Sequence, residues 1–495
     1  MGKFVGYHSA MRLAPILLSL LIGLSVLPRG FAQGFPENLP STLPDLGDAS
    51  SATLSPQMEK RIGEEAMRQI RAREPSYVDD PEIAEYLNVL GKKLSAASSG
   101  MHQDFEFFLI KDDSINAFAM PGGFIGVHSG LLLAAQTESE LAGVLAHEIS
   151  HVTQHHIARL LSKQSQLSAI SLAGLLVAIL ASRSAAGPAV AMASQAGAVG
   201  AQLAYTRDFE READRIGFQV LQQAGFEGNG MVSFFERLQR ATRVHENNAP
   251  AYLQSHPLTL ERISDIQNRV QGAPYKQRVD SPEFYLVRAK LRAENGTPRE
   301  ALAYFESELA EKRYTSEVAA RYGLVTTLVR NREFKRAEAE LQGLRALAGQ
   351  QPMVDLLAAR MKTESGDLAG AGDLLKAALV RLPNYRPFNY AYVQLLQRAG
   401  RHQEALDRLV DLVRSYPRES RFYSMQAQSY SATGKQMLSH RAQGEFYFVQ
   451  GSLAAAAEQL ELGRRAGDGD FYQMSSLEAR LREMRTSLED EIKRR

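Results

Sequence analysis

At 495 residues the chain is too long for one ordinary core and points to two or three domains. Its 57 Lys and Arg nearly cancel 56 Asp and Glu, so no cationic surplus exists to neutralise phosphates, and nucleic acid is excluded as the main partner. The absence of cysteine excludes disulfides, thiolate metal sites, a cysteine nucleophile and a lipidated N-terminal cysteine.

The chain opens with Lys3 and Arg12, an apolar run over 13–28, and small residues at Gly30 and Ala32. Charged start, short apolar middle and small-residue exit describe a cleaved secretory signal peptide over 1–32, and hence an exported protein. Residues 33–54 are rich in Pro, Gly and Ser and read as a linker. From about Ser55 the pattern turns helical, and 79–98 carries a Pro in its first turn with apolar residues at helical spacing. The period then changes. FEFFLI (105–110), INAFAM (115–120) and GGFIGVHSG (122–130) are short, β-rich and punctuated by Gly and Pro, which predicts a small antiparallel sheet. Thr137 with Glu140 forms a capping-box pattern, so a helix should begin near Glu138.

That helix carries LAGVLAHEISHVTQHH (141–156). Positions i and i+4 lie on one face, so His147 and His151 can turn two imidazole nitrogens toward one ion. Glu148 lies ~100° round the same helix, beside that ion rather than on it. This is the division of labour zinc hydrolysis needs: neutral imidazoles hold the metal, and a carboxylate takes the proton of the attacking water. His155 is excluded as a third ligand, because eight residues of straight helix separate it from His147 by ~12 Å. His155 and His156 are left as supporting, surface or packing residues. The third ligand must come from elsewhere, and YTRDFEREADRIG (205–217) offers Glu210 and Asp214 one helical turn apart. Glu210 can complete a His2Glu site, and Asp214 can accept the free N–H of a ligand histidine. Between the two motifs, 167–204 is rich in Ala, Gly, Ser and Leu, but its uncharged run of 169–181 is too short to span a bilayer. It reads as a packed helical hairpin, a lid over a cleft, or a surface touching membrane or hydrophobic clients.

From about residue 275 a second pattern takes over. Gly296, Asn331, Gly366, Gly400 and Gly434 recur every 34 or 35 residues, Ala301, Ala337, Ala371 and Ala405 follow the first four, and Pro383 and Pro417 keep the same spacing. That period with helix–turn–helix patterning is the tetratricopeptide signature, a protein-binding solenoid. It blurs after residue 434, and the final segment reads as a polar capping helix. The fold class expected is therefore α+β and mostly helical: an HExxH zinc-metallopeptidase domain with a small β-sheet over 55–274, then an all-α solenoid over 275–495.

HEISH followed by EREAD resembles the HtpX and CAAX-prenyl-protease type of zinc metallopeptidase, whose second motif has the form E-x-x-x-D. With an export signal and C-terminal repeats, the chain is similar to the beta-barrel assembly-enhancing protease family. The resemblance implies one Zn2+ held by His147, His151 and Glu210, with Glu148 as general base. SHPLTLERI (255–263) matches a family segment, which implies that His256 caps the zinc in a resting state; as sequence alone it is also simply a loop histidine before a proline. Arg262 would steady substrate or the developing oxyanion, or form a structural salt bridge. The family also presents a sheet edge on which substrate pairs as an added strand, which implies substrate contacts for Asn116 and the 122–127 backbone, with Gly122, Gly123, Phe124 and Ile125 named. It implies a periplasmic endopeptidase whose partners are unfolded or misassembled outer-membrane proteins and, through the repeats, their assembly machinery. The rival reading is a periplasmic chaperone or scaffold with a nearly silent metal site. A lipid-directed enzyme is disfavoured, because no convincing spans separate the two motifs.

Overall fold

The structure, a computed structural model, describes residues 54–98, 103–162, 207–244, 251–274 and 276–493. The expected signal peptide, nearly all of the linker and the 167–204 segment lie outside the described residues. No helix among the described residues is long and apolar enough to cross a membrane.

Helix α1 (Pro56–Arg73) starts at Ser55, whose hydroxyl accepts the Met58 N–H at 3.3 Å. Helix α2 (Pro81–Ala96) starts at Asp80, whose carboxylate accepts two amides at 3.0 Å. Both have Pro in the first turn, where its missing N–H costs nothing. Three strands follow the predicted β segments, β2 (Glu106–Ile110), β3 (Ala117–Met120) and β4 (Phe124–His128), and a short, unpredicted β1 (Tyr77–Val78) joins them, in the order β1-β2-β4-β3. The expectation of a purely antiparallel sheet is corrected, since β2 and β4 run parallel. The tight turn at Gly122 and Gly123 makes β3 and β4 antiparallel. The largely buried β4 takes an inner place beside β2, to which it runs parallel, so β3 is left at one edge and β1 at the other. Alternation sorts the side chains. Phe108, Ile110 and Met120 face α1, while Phe107, Leu109, Ile125 and Val127 join the main core.

After α3 (Ser129–Ala134) comes α4 (Glu138–Thr153), capped by Thr137, whose hydroxyl accepts the Glu140 N–H at 3.2 Å. The box is not reciprocal. Glu140 instead accepts from the Gln136 amide at 2.7 Å and pairs with Arg237 at 2.7 Å. Every residue of α4 from Glu138 to Val152 is buried. The helix runs through the interior, between α2 and β3 and the later α6 (Arg207–Gln223) and α7 (Asn229–Val244), with the short α5 (His156–Ser162) between. Gly217 makes this packing possible. A Cβ there would stand 3.0 Å from the His147 nitrogen, so α6 approaches the backbone of α4 directly. Two further helices, α8 (Ala251–Ser255) and α9 (Leu260–Gln271), finish this part.

Twelve helices of the repeat region follow among the described residues, from α10 (Pro282–Glu294) and α11 (Pro298–Ala310) to a final α21 (Phe471–Lys493). The in-register Ala301, Ala337, Ala371 and Ala405 are all buried where paired helices meet. Gly296, Gly366, Gly400 and Gly434 adopt the left-handed backbone that closes each turn. Asn331 does not. It stays right-handed at φ −78°, and Arg332 takes the left-handed position at φ +62°. Past residue 434 the pairing of helices continues although its sequence period fades, and α21 buries Leu477, Leu481 and Met484.

The solenoid and α2 share one core: Ile83, Leu87 and Leu90 cluster with Phe284, Val287 and Tyr322. The start of α2 is gripped by cations from the first and fourth helix pairs of the solenoid. Buried Lys290 holds Asp80 at 2.6 Å and also pairs with Glu82. Arg386, which opens the later helix Arg386–Arg398, holds Glu85 at 2.8 Å.

Candidate metal centre

Three elements converge on one buried point. Helix α4 brings His147 and His151, α6 brings Glu210, and the loop after α8 brings His256; these four offer donor atoms that all lie within 4.8 Å of one another. His147 Nε2 is 2.9 Å from His151 Nε2 and 3.4 Å from His256 Nδ1. Glu210 oxygens stand 3.0 Å from His256 Nδ1, 3.4 Å from His151 Nε2 and 3.5 Å from His147 Nε2. Four N and O donors bound at ~2.0–2.1 Å in a tetrahedron stand ~3.3 Å apart, close to the 2.9–3.5 Å of the pairs given above.

The tautomers suit that arrangement. His147 Nδ1 lies 2.9 Å from Asp214 Oδ1, which directs its Nε2 lone pair inward. His151 Nδ1 lies 2.8 Å from His156 Nδ1, and His156 Nε2 lies 3.1 Å from Glu212. His156 thus orients His151 much as Asp214 orients His147. Sequence reasoning did not separate His156 from surface histidines; the signal available was its pairing with a second acidic residue of EREAD, Glu212. His155 leaves the helix at φ +52° and hydrogen-bonds Glu59 at 2.8 Å, away from the cluster.

Charge argues for a cation. Glu148, Glu210 and Asp214 are buried carboxylates, the last two paired with one guanidinium, Arg262, and a divalent ion would balance the two negative charges that Arg262 leaves over. Protons respond to the same imbalance. Burial alone would lower the His147 imidazole, yet the Asp214 and Glu210 carboxylates raise it to about 9. Burial pushes the Glu148 carboxyl above its ordinary range, against the pull of His256 and His147. Burial would raise Glu210 too, but His256, His147 and His151 hold it well below the usual carboxylate range. Burial carries His151 well below the ordinary imidazole value, so it is neutral and free to donate a lone pair. Neither Glu148 oxygen makes a side-chain hydrogen bond of normal geometry, and His256 Nε2 is 3.5 Å away.

Arg262 is buried and fully engaged by protein groups. Its Nε and Nη2 grip Asp214 at 2.7 and 2.8 Å, and its Nη1 reaches the Pro257 carbonyl at 2.7 Å and Glu210 at 2.7 Å. Of the two expectations for Arg262, the salt bridge is present: Arg262 ties together Glu210, Asp214 and the His256–Pro257 turn. The 122–125 expectation is corrected. Phe124 and Ile125 lie in the central strand β4, paired on both sides. Gly122 and Gly123 form the β3–β4 turn at φ +80° and +92°, with a Cβ at Gly122 falling 2.7 Å from the Lys60 backbone. The edge strand beside β4 is β3 itself, Ala117–Met120. Asn116, just before it, is buried, its side-chain oxygen has no partner among the described residues, and its backbone carbonyl accepts the His128 amide. Beside His151 the space bounded by Glu59, Ala119, Met120, Gly122 and Val152 is about 10 Å³, barely a water and far too small for a peptide.

The Peptidase family M48 pattern matches residues 81–270, and a Tetratricopeptide repeat pattern matches 362–429. The chain is 37% identical to a putative beta-barrel assembly-enhancing protease of Vibrio cholerae, in a match covering 61% of this chain and 63% of that protein. It is 33% identical to the beta-barrel assembly-enhancing protease of Yersinia pestis over 90% of this chain and 94% of that one. The protein of the same name in Escherichia coli is 32% identical over 85% of this chain and 88% of its own length.

Proposed function

From the chain's membership of peptidase family M48, among the beta-barrel assembly-enhancing proteases, we propose a periplasmic zinc endopeptidase that degrades misfolded or stalled outer-membrane proteins. The observation that carries the reading is the convergence of His147, His151, Glu210 and His256, whose donor atoms lie within 4.8 Å of one another, with the buried carboxylate of Glu148 alongside. His147, His151 and Glu210 would hold the metal, which when bound supplies a Lewis acid that polarises water and the scissile carbonyl. Glu148 is the base that takes the proton of the attacking water and later returns it to the leaving amine. Asp214 and His156 fix the two ligand imidazoles, and Arg262 fixes Glu210.

His256 makes the enzyme latent. It fills the fourth corner of the cluster, where substrate chemistry needs an open position. The near-absence of free space beside His151 supports the same closed state. Once it opens, an extended substrate segment pairs with the outer strand β3 by backbone hydrogen bonds, a mode suited to unfolded chains. The repeats bind protein partners, of which the outer-membrane assembly machinery is the candidate by likeness to the named relatives, and 167–204 would supply any membrane contact.

The test is casein degradation by the purified protein, with metal counted on the same sample. One zinc per chain, activity in the wild type that rises in His256→Ala and disappears in Glu148→Gln support the whole reading. Bound zinc with no turnover in either wild type or His256→Ala moves the protein to the rival class, an assembly chaperone or scaffold. Absence of any bound metal defeats the site assignment.

A further inference from the structure

Tyr252, on α8, is a polar residue of the buried centre that the reading above leaves without a task. It is 1% exposed. Its ring stacks on His256, centroids 4.6 Å apart and planes at 21°, and lies 6.3 Å from the His147 ring. Its backbone N–H donates to the Ile115 carbonyl at 3.2 Å, which ties it to the segment entering β3. Its hydroxyl has no hydrogen-bond partner among the described residues. A phenol carries its proton at neutral pH, so the hydroxyl is available as a donor.

An unpaired hydroxyl in a closed core is costly, and phenylalanine would provide the same stacking surface without that cost. The base in the same site, Glu148, is held only by a long 3.5 Å approach of His256 Nε2 and by the Ala119 backbone. An orphan donor, Tyr252, and a loosely held acceptor, Glu148, in the same buried site complement two partners together: a carbonyl oxygen that accepts, and a water that donates. We propose that Tyr252 is a catalytic residue whose O–H donates a hydrogen bond to the oxygen of the scissile carbonyl as negative charge develops there. The proposal rests on the peptidase reading and deepens it. In the step it serves, the water oxygen bonds to the carbonyl carbon, the C=O π pair moves onto the carbonyl oxygen, and the water proton passes to Glu148. When that pair returns, the C–N bond breaks and Glu148 gives its proton to the leaving nitrogen. Tyr252 keeps its own proton throughout and strengthens its hydrogen bond only while the oxygen is anionic, so it acts on the transition state rather than on ground-state binding.

Tyr252→Phe, made both in the wild type and in His256→Ala, tests this on casein with metal content and melting temperature measured in parallel. The expected result is a fall in kcat of ~10²-fold with KM moved by less than about twofold, the signature of a lost oxyanion donor. A second readout needs no turnover: calorimetric binding of a phosphinic peptide, whose tetrahedral oxygens mimic the anion, should weaken about tenfold or more, while the matching unreactive product peptide binds as before. Unchanged kcat and unchanged phosphinic affinity in an active parent overturn the role of Tyr252 alone. Loss of metal or a lowered melting temperature in Tyr252→Phe would make the residue structural and overturn it too. Parents inactive in both backgrounds would overturn the peptidase reading and this one with it.

Discussion

The metal centre and the solenoid treat charge in opposite ways. At the centre three carboxylates, three histidines and an arginine are all nearly inaccessible. Along the outer repeats, ion pairs lie in water: Arg414 and Asp411 are 75% and 69% exposed and meet at 3.5 Å. Such exposed pairs add little to stability. The buried set is expensive and has to be justified by a cation or by chemistry. Where a helix hides its charges it is built for a task, and where it displays them it is built to remain soluble around an apolar seam. The two styles meet at Lys290, the one lysine among the described residues that the repeats bury.

The largest effect that would break this comparison is at Glu148. Glu148→Gln keeps size and burial but removes the base, so casein turnover should fall by ~10²–10⁴ while metal content is retained. If the variant turned over casein at the wild-type rate, the buried carboxylate would be structural, and the centre would lose its distinction from a costly core network. Next in size is removal of the metal. Without a metal, Glu148, Glu210 and Asp214 are balanced only by Arg262 and by a proton taken up on His147, so a chelator should lower the melting temperature. Zinc at a thousand times its dissociation constant should restore about 4 kcal/mol. A melting curve indifferent to both chelator and zinc would count against a metal centre.

Lys290→Met comes third and probes the junction. It leaves Asp80 and Glu82 buried without their cation, a loss of ~3–5 kcal/mol for a broken buried pair. Burial would raise Asp80, but Lys290 holds it below its ordinary range, whereas for Glu82 burial outweighs Lys290 and raises it. Glu82 can therefore take up a proton when Lys290 is gone, and the low end of that range is expected, read from urea unfolding. Adding Asp80→Asn and Glu82→Gln to Lys290→Met should recover most of the loss. If it did not, packing of the lysine stem rather than charge would hold the solenoid to α2.

These two styles also explain what could be read from the sequence. Local periodicity carries its own register, so α4, the β segments and the repeat alanines were all legible. His147 and His151 were legible because one helix turn brings them together. Glu210 and Asp214 were legible because they too lie one turn apart. What failed or stayed open depended on contacts distant in sequence. The strand order places β3 rather than 122–125 at the edge, because a largely buried β4 is worth more in an inner place. The fork of Arg262 is drawn to Asp214 and Glu210, 48 and 52 residues away along the chain. His156 and Tyr252 carried no spacing signal of their own, since each gains its meaning only from a neighbour on another element.

The smallest effect sharpens the comparison from the solenoid side. Four of the five repeat turns use glycine in the left-handed region, and the second uses Arg332 at φ +62°. An L side chain there strains against its own backbone, at ~1–2 kcal/mol, whereas glycine adopts the conformation freely. Arg332→Gly should therefore stabilise the protein, but by only ~0.5–1 kcal/mol, because glycine also frees the unfolded chain. The gain should appear as a small rise in melting temperature with casein turnover unchanged. A fall instead would mean that the Arg332 side chain makes a contact worth more than the strain. The turn would then belong with Lys290, as a place where the solenoid departs from its repeat because something binds there.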